Sequence, residues 1–181
     1  MGSSGGPQVP LQIFTAQIRS LVEHILIADH LVDTKVLLIG TTPLDLSPTP
    51  PVSAGKVSDD AVAIAKAGLG FRNYMMKKAY SAAMVQVARE YEETGRVLGL
   101  DGWRVMVDAA LAVQGRRRGD GEEEEDGEER LPGCGVPGAE GFPQGWFRDG
   151  LHPGSEVSRP LSVCLNCFEG RQGMSGNGAC W

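Results

Sequence analysis

A chain of 181 residues has room for one ordinary domain, and its net charge of −6, with no basic stripe or aromatic platform, excludes nucleic acid as a partner. No apolar run approaches the ~20 residues that cross a bilayer, so no membrane span is expected. Residues 1–6 carry neither the basic region nor the apolar stretch of a signal peptide, which makes the cytoplasm the expected compartment.

Residues 1–9 are rich in Gly, Ser and Pro and read as loop. From Pro10 the pattern changes. Leu11, Phe14, Ile18, Leu21, Val22 and Ile25 recur at steps of three and four, which predicts an amphipathic helix to about Asp29 with Pro10 in its first turn. Val36-Leu37-Leu38-Ile39 follows as a short continuous apolar run ending at Gly40, the pattern of a strand covered on both faces by helices. Residues 41–58 hold Pro43, Pro48, Pro50 and Pro51 and read as a loop at the end of that strand, where α/β proteins place their sites. A short helix is expected from Asp59 to Ala67, and a longer one from Phe71 to Thr94 with Tyr80, Met84, Val87 and Tyr91 on one face. Gly95 closes it, Arg96 to Leu100 forms a second strand, and Asp101 caps a helix from Trp103 to Gln114 carrying Val105, Met106, Ala109, Ala110 and Val113.

Residues 10–114 therefore read as a partial α/β domain with a parallel sheet, too few strands for independent stability. Beyond them Arg116-Arg117-Arg118 meets Glu122 to Asp126, followed by Gly/Pro-rich sequence. Like-charge blocks with little apolar content do not fold, so 115–143 is expected to be a disordered insertion rather than a docking patch. The tail, 158–181, has no helical stripe and also reads as disordered. Three of the four cysteines lie in it; Cys164 and Cys167 have the spacing of half a zinc knuckle, but neither Cys134 nor Cys180 completes a second pair, so no metal and no cofactor is expected.

The chemistry lies in 144–157, where Phe147-Arg148-Asp149-Gly150-Leu151-His152-Pro153 sets a carboxylate three residues before an imidazole. A neutral imidazole accepts a hydroxyl proton only when its other nitrogen is held as the donor, and a carboxylate within the same turn can do this. Asp149 and His152 are thus the candidate catalytic residues, with Gly150 permitting the tight turn. The competing reading of such a pair is a loop Asp capping a short helix beside an exposed His.

The neighbouring residues favour the first reading. Val9-Pro10-Leu11, the strand Val36 to Ile39 with Thr42-Pro43 and Asp45 behind it, Tyr80-Ser81-Ala82-Ala83, Val97 to Leu100 leading to Trp103, and above all Trp146 to His152 resemble the SGNH/GDSL hydrolase family, in its isoamyl acetate-hydrolysing esterase-like branch. The resemblance covers about Val9 to Val157. It implies a three-layer α/β/α, flavodoxin-like fold with a parallel sheet, and a Ser-Asp-His carboxylic ester hydrolase in which His152 is the general base and Asp149 its orienting partner. The implied substrate is a small ester with a short or medium acyl group; the oligomeric state is left open.

The remaining family motifs are absent. No Gly-Asp-Ser occurs, since Gly119-Asp120 is followed by Gly121, and no Gly-x-Asn-Asp supplies an oxyanion donor. Ser3, Ser4 and Ser175 sit among glycines but not between a strand and a helix, as a nucleophile elbow requires. The expectation is a C-terminal part of such a hydrolase, its first strands missing and its tail a translated intron or shifted frame. The alternative is a catalytically inactive fragment or pseudoenzyme serving as an interaction module.

Overall fold

The computed structural model describes residues 9–46, 60, 64, 67–117 and 130–157. Its principal elements are α1 (Leu11–Ile27), β1 (Val36–Ile39), α2 (Leu69–Glu90), β2 (Val97–Leu100) and α3 (Gly102–Val113), with 3-10 turns at Asp29–Leu31, Glu92–Thr94 and Ser155–Val157. β1 and β2 pair in parallel, Val36 opposite Val97 through Ile39 opposite Leu100. Parallel neighbours need a long crossover, here the segment that contains α2. Among the described residues the fold is mixed α/β with a two-stranded parallel sheet. The expected helix at 59–67 falls largely outside the described residues, as do 47–59, the charged core of the insertion (118–129) and the tail from 158. The chain divides into two compact units, Met1–Thr42 with Met75–Trp103, and Pro43–Tyr74 with Arg104–Trp181.

In the first unit the core is Val22, Val87, Ala88 and Val97, packed against Ile18, Leu26, Val36, Leu38 and Tyr91. One stripe of α1, one face of β1 and one face of α2 thus meet. Pro10 lies one position earlier than expected, as the N-cap of α1, with its carbonyl accepting the Phe14 N–H. Two members of the expected pattern are corrected. Leu21 is 61% exposed, because at 100° per residue it sits off the core-facing line through Val22. β1 is covered on one face only: Val36 and Leu38 point into the core, whereas Leu37 and Ile39 remain 38% and 47% exposed. A continuous apolar run does not reveal that second, open face.

Arg96, just before β2, ties this unit together. Its Nε donates to the Thr34 carbonyl, Nη1 to that of Leu26, and Nη2 to those of Leu31 and Ile25. The last carbonyls of a helix lack intrahelical partners, and a cation there also meets the negative end of the helix dipole. Arg96→Ala is expected to destabilise the chain by about 2–3 kcal/mol, since several charge-assisted hydrogen bonds are lost at once. Urea denaturation monitored by tryptophan fluorescence checks this.

At the other end of the sheet the buried Ser81 hydroxyl donates to Asp101 Oδ1 at 2.7 Å and accepts from the Trp103 N–H at 3.5 Å. The carboxylate expected to cap α3 therefore works together with Ser81. Along α3, Trp103, Met106, Val107, Ala110 and Leu111 are buried, while Val113 is exposed. Relative to the expected stripe, Val107 and Leu111 enter and Val113 leaves.

The second unit holds the largest departure from expectation. Residues 130–143, read as part of a disordered insertion, form a sequence of turns that buries Leu131, Cys134, Val136 and Phe142. Glycines supply the turns and the sparse apolar residues fill the space beneath them. Tyr74 donates its hydroxyl proton to the Pro132 carbonyl at 2.9 Å, and the Gln114 side chain donates to that of Gly141 at 3.0 Å. The Phe142 ring packs against Trp146 and Phe147, at centroid distances of 6.1 and 5.0 Å.

Candidate active site

The residues after Phe142 fold into a small hairpin. Phe147 and Pro153 form an antiparallel bridge, the Arg148 N–H donates to the His152 carbonyl at 3.0 Å, and the Gly154 N–H donates to the Trp146 carbonyl at 2.7 Å. Asp149, Gly150, Leu151 and His152 make its tip. Gly150 adopts φ +74°, a left-handed conformation that costs a side chain about 1 kcal/mol or more and that glycine adopts freely.

The tip brings the two expected catalytic residues together. His152 Nδ1 lies 2.7 Å from Asp149 Oδ2, while Asp149 Oδ1 accepts the backbone N–H groups of His152 at 2.8 Å and Leu151 at 3.0 Å. Asp149 is therefore both the cap of its own turn and the partner of the ring; the two readings of the motif coexist. With a neutral imidazole, the carboxylate selects the tautomer that carries its proton on Nδ1 and leaves the Nε2 lone pair available. No described residue hydrogen-bonds Nε2. The pair is open to solvent, with side chains 68% and 55% exposed for His152 and Asp149.

The hydrogen bond from the His152 ring, followed by the backbone amides of His152 and Leu151, lowers the Asp149 pKa from 3.8 to about 2. Because the folded value lies below the ordinary one, these contacts stabilise the turn fully above about pH 4. Their contribution declines as pH falls and is lost once the folded carboxylate protonates near pH 2. A carboxyl carbon titration followed by NMR is expected to place Asp149 near 2; a midpoint near 3.8 would show that the pair is not formed.

No described serine is hydrogen-bonded to the imidazole. Ser81 is committed to Asp101 and Trp103 within a buried site, and Ser3, Ser4 and Ser175 lie outside the described residues, as do Cys164, Cys167 and Cys180. Cys134 is buried, and burial raises its thiol pKa, which disfavours the reactive thiolate. Among the described residues there is no cluster of three or more His, Cys, Asp or Glu able to hold a metal, and no helix is long and apolar enough to cross a membrane.

Sequence reasoning missed the support of the site. Segment 44–46, which follows β1 in the chain, runs beside both loops of this unit: the Asp45 N–H donates to the Gly150 carbonyl and the Leu46 N–H to that of Gly133, each at 2.8 Å. These are backbone contacts, and only the glycines mark them in the sequence. No protein-family model, curated protein or solved structure matches the chain.

Proposed function

We propose that Asp149 and His152 are the base half of a serine carboxylic ester hydrolase of the SGNH/GDSL type. The observation that carries the reading is the 2.7 Å contact between Asp149 Oδ2 and His152 Nδ1, with no described residue hydrogen-bonded to Nε2. In the reaction, a serine hydroxyl supplied by sequence outside this chain attacks the acyl carbonyl of a small ester. Its proton passes to His152 Nε2, and the Asp149 carboxylate stabilises the resulting imidazolium without itself taking the proton. Collapse of the tetrahedral adduct expels the alkoxide, which receives that proton from Nε2 and leaves as the alcohol. Water then enters; His152 removes its proton as it attacks the acyl-enzyme, and returns one to the serine as the acid departs. This chemistry calls for no metal or organic cofactor.

The matching fold is a three-layer α/β/α sandwich, in which β1 and β2 are neighbours in a wider parallel sheet. Exposed Leu37 and Ile39 on β1 support this reading, since a second helical layer would cover that face. The same exposed face favours the alternative of an inactive fragment or pseudoenzyme that acts as an interaction module.

Nucleophile and base act as a unit, and loss of the nucleophile removes nearly all rate enhancement. The chain alone is therefore expected to hydrolyse p-nitrophenyl acetate or butyrate no faster than its His152→Ala variant. Turnover that His152→Ala abolishes, with the circular dichroism spectrum unchanged, would place the nucleophile within these 181 residues.

A further inference from the structure

The Asp149–His152 turn is closed on one side by its own hairpin and on the other by residues from much earlier in the sequence. Two features of Gly150 make that second contact unusually tight. Its carbonyl accepts the Asp45 N–H at 2.8 Å. A β carbon on Gly150 would stand 2.3 Å from the Asp45 carbonyl oxygen and 3.5 Å from the carbon that bears it. The obstacle is backbone, which cannot rotate aside as a side chain can. It belongs to a segment that the Leu46–Gly133 hydrogen bond also holds in place.

We propose that Gly150 is a positioning residue: its close stacking on the Asp45 backbone fixes the turn so that the Asp149 carboxylate meets the His152 ring and both flanking amides. The purpose given to this clamp rests on the hydrolase reading, but its geometry does not. Left-handed φ alone would be met by any glycine turn. The added contact ties the orientation of the imidazole to segment 44–46, so that movement of that segment would reorient the base.

The test compares two glycines with left-handed backbones. Gly145 has φ +86°, and the nearest atom to a β carbon there is Glu156 Cγ at 3.5 Å, an ordinary contact. Gly145→Ala and Gly150→Ala therefore share the conformational penalty, and only the second collides with Asp45. In the full chain labelled with 15N, long-range proton–nitrogen spectra above the imidazole's titration range report the His152 tautomer. The unmodified chain and Gly145→Ala are expected to show the Nδ1-protonated form. Gly150→Ala is expected to reduce the ratio of that form to its Nε2-protonated counterpart by roughly tenfold, the loss of one charge-assisted hydrogen bond. An unchanged ratio in Gly150→Ala overturns the proposal, as does an equal loss in Gly145→Ala.

Should Gly150→Ala not fold, native-state hydrogen exchange on the unmodified chain decides. The Asp45 and His152 amides are expected to open together, with the same denaturant dependence. A His152 amide that opens independently of Asp45 overturns the proposal. Ester hydrolysis enters neither readout, so an absence of hydrolase activity in the complete enzyme would count against the preceding reading alone.

Discussion

Trp103→Ala is expected to lower the stability of the chain by about 3–5 kcal/mol, the range for removing a large aromatic side chain from a packed interior. Trp103 is 1% exposed and has Lys78 Nζ 5.5 Å from its ring centroid, so burial and a cation–π contact are lost together. The backbone N–H of residue 103 donates to the Ser81 hydroxyl, which is bound in turn to Asp101, so a cavity beside it loosens the start of α3. Small domains carry roughly 5–15 kcal/mol of net stability, which makes a loss of this size a large fraction of the whole. Chemical denaturation of the variant beside the unmodified chain checks it. Trp103→Phe restores most of the buried area and is expected to recover more than half of the loss.

Asp149→Asn is the second large effect, and it separates orientation from mere presence of the imidazole. An amide in the carboxylate's place can present an N–H to Nδ1, which then becomes the acceptor and moves the ring proton to Nε2. On this chain the change is read as a reversal of the His152 tautomer by nitrogen NMR. If the proposed hydrolase reading holds, the same substitution in the complete enzyme is expected to lower kcat by about 10⁴-fold, the magnitude associated with the wrong tautomer in a Ser-His-Asp triad. Ester turnover that survives the substitution undiminished would remove Asp149 from the role of orienting partner.

The elements that could be read from the residues are those whose local pattern matches their burial. Val22 and Val87 lie on stripes that the three- and four-residue spacing already exposes, and the ends of α1, α2 and both strands fall within a few residues of their expected places. What escaped was decided by long-range packing. The Leu37 and Ile39 face of β1 reads the same as the Val36 and Leu38 face until the structure shows which one α1 and α2 cover. Residues 130–143 have the composition of a loop, yet Leu131, Val136 and Phe142 suffice to bury a turn-rich segment. At the site, the spacing of Asp149 and His152 fits within one turn and was legible for that reason. The clamp from Asp45 onto Gly150 was not, because a hydrogen bond between two distant backbones leaves no side-chain pattern to find.

The proposed reading gives Asp149 and His152 the base half of a hydrolase, with the nucleophile encoded elsewhere in the same reading frame. Full-length sequencing of the mature transcript tests it most directly. Gly-Asp-Ser and Gly-x-Asn-Asp blocks are expected upstream and in frame with Val9. A transcript whose reading frame contains neither block would contradict it, leaving Asp149 and His152 as a capped turn without a reaction to serve.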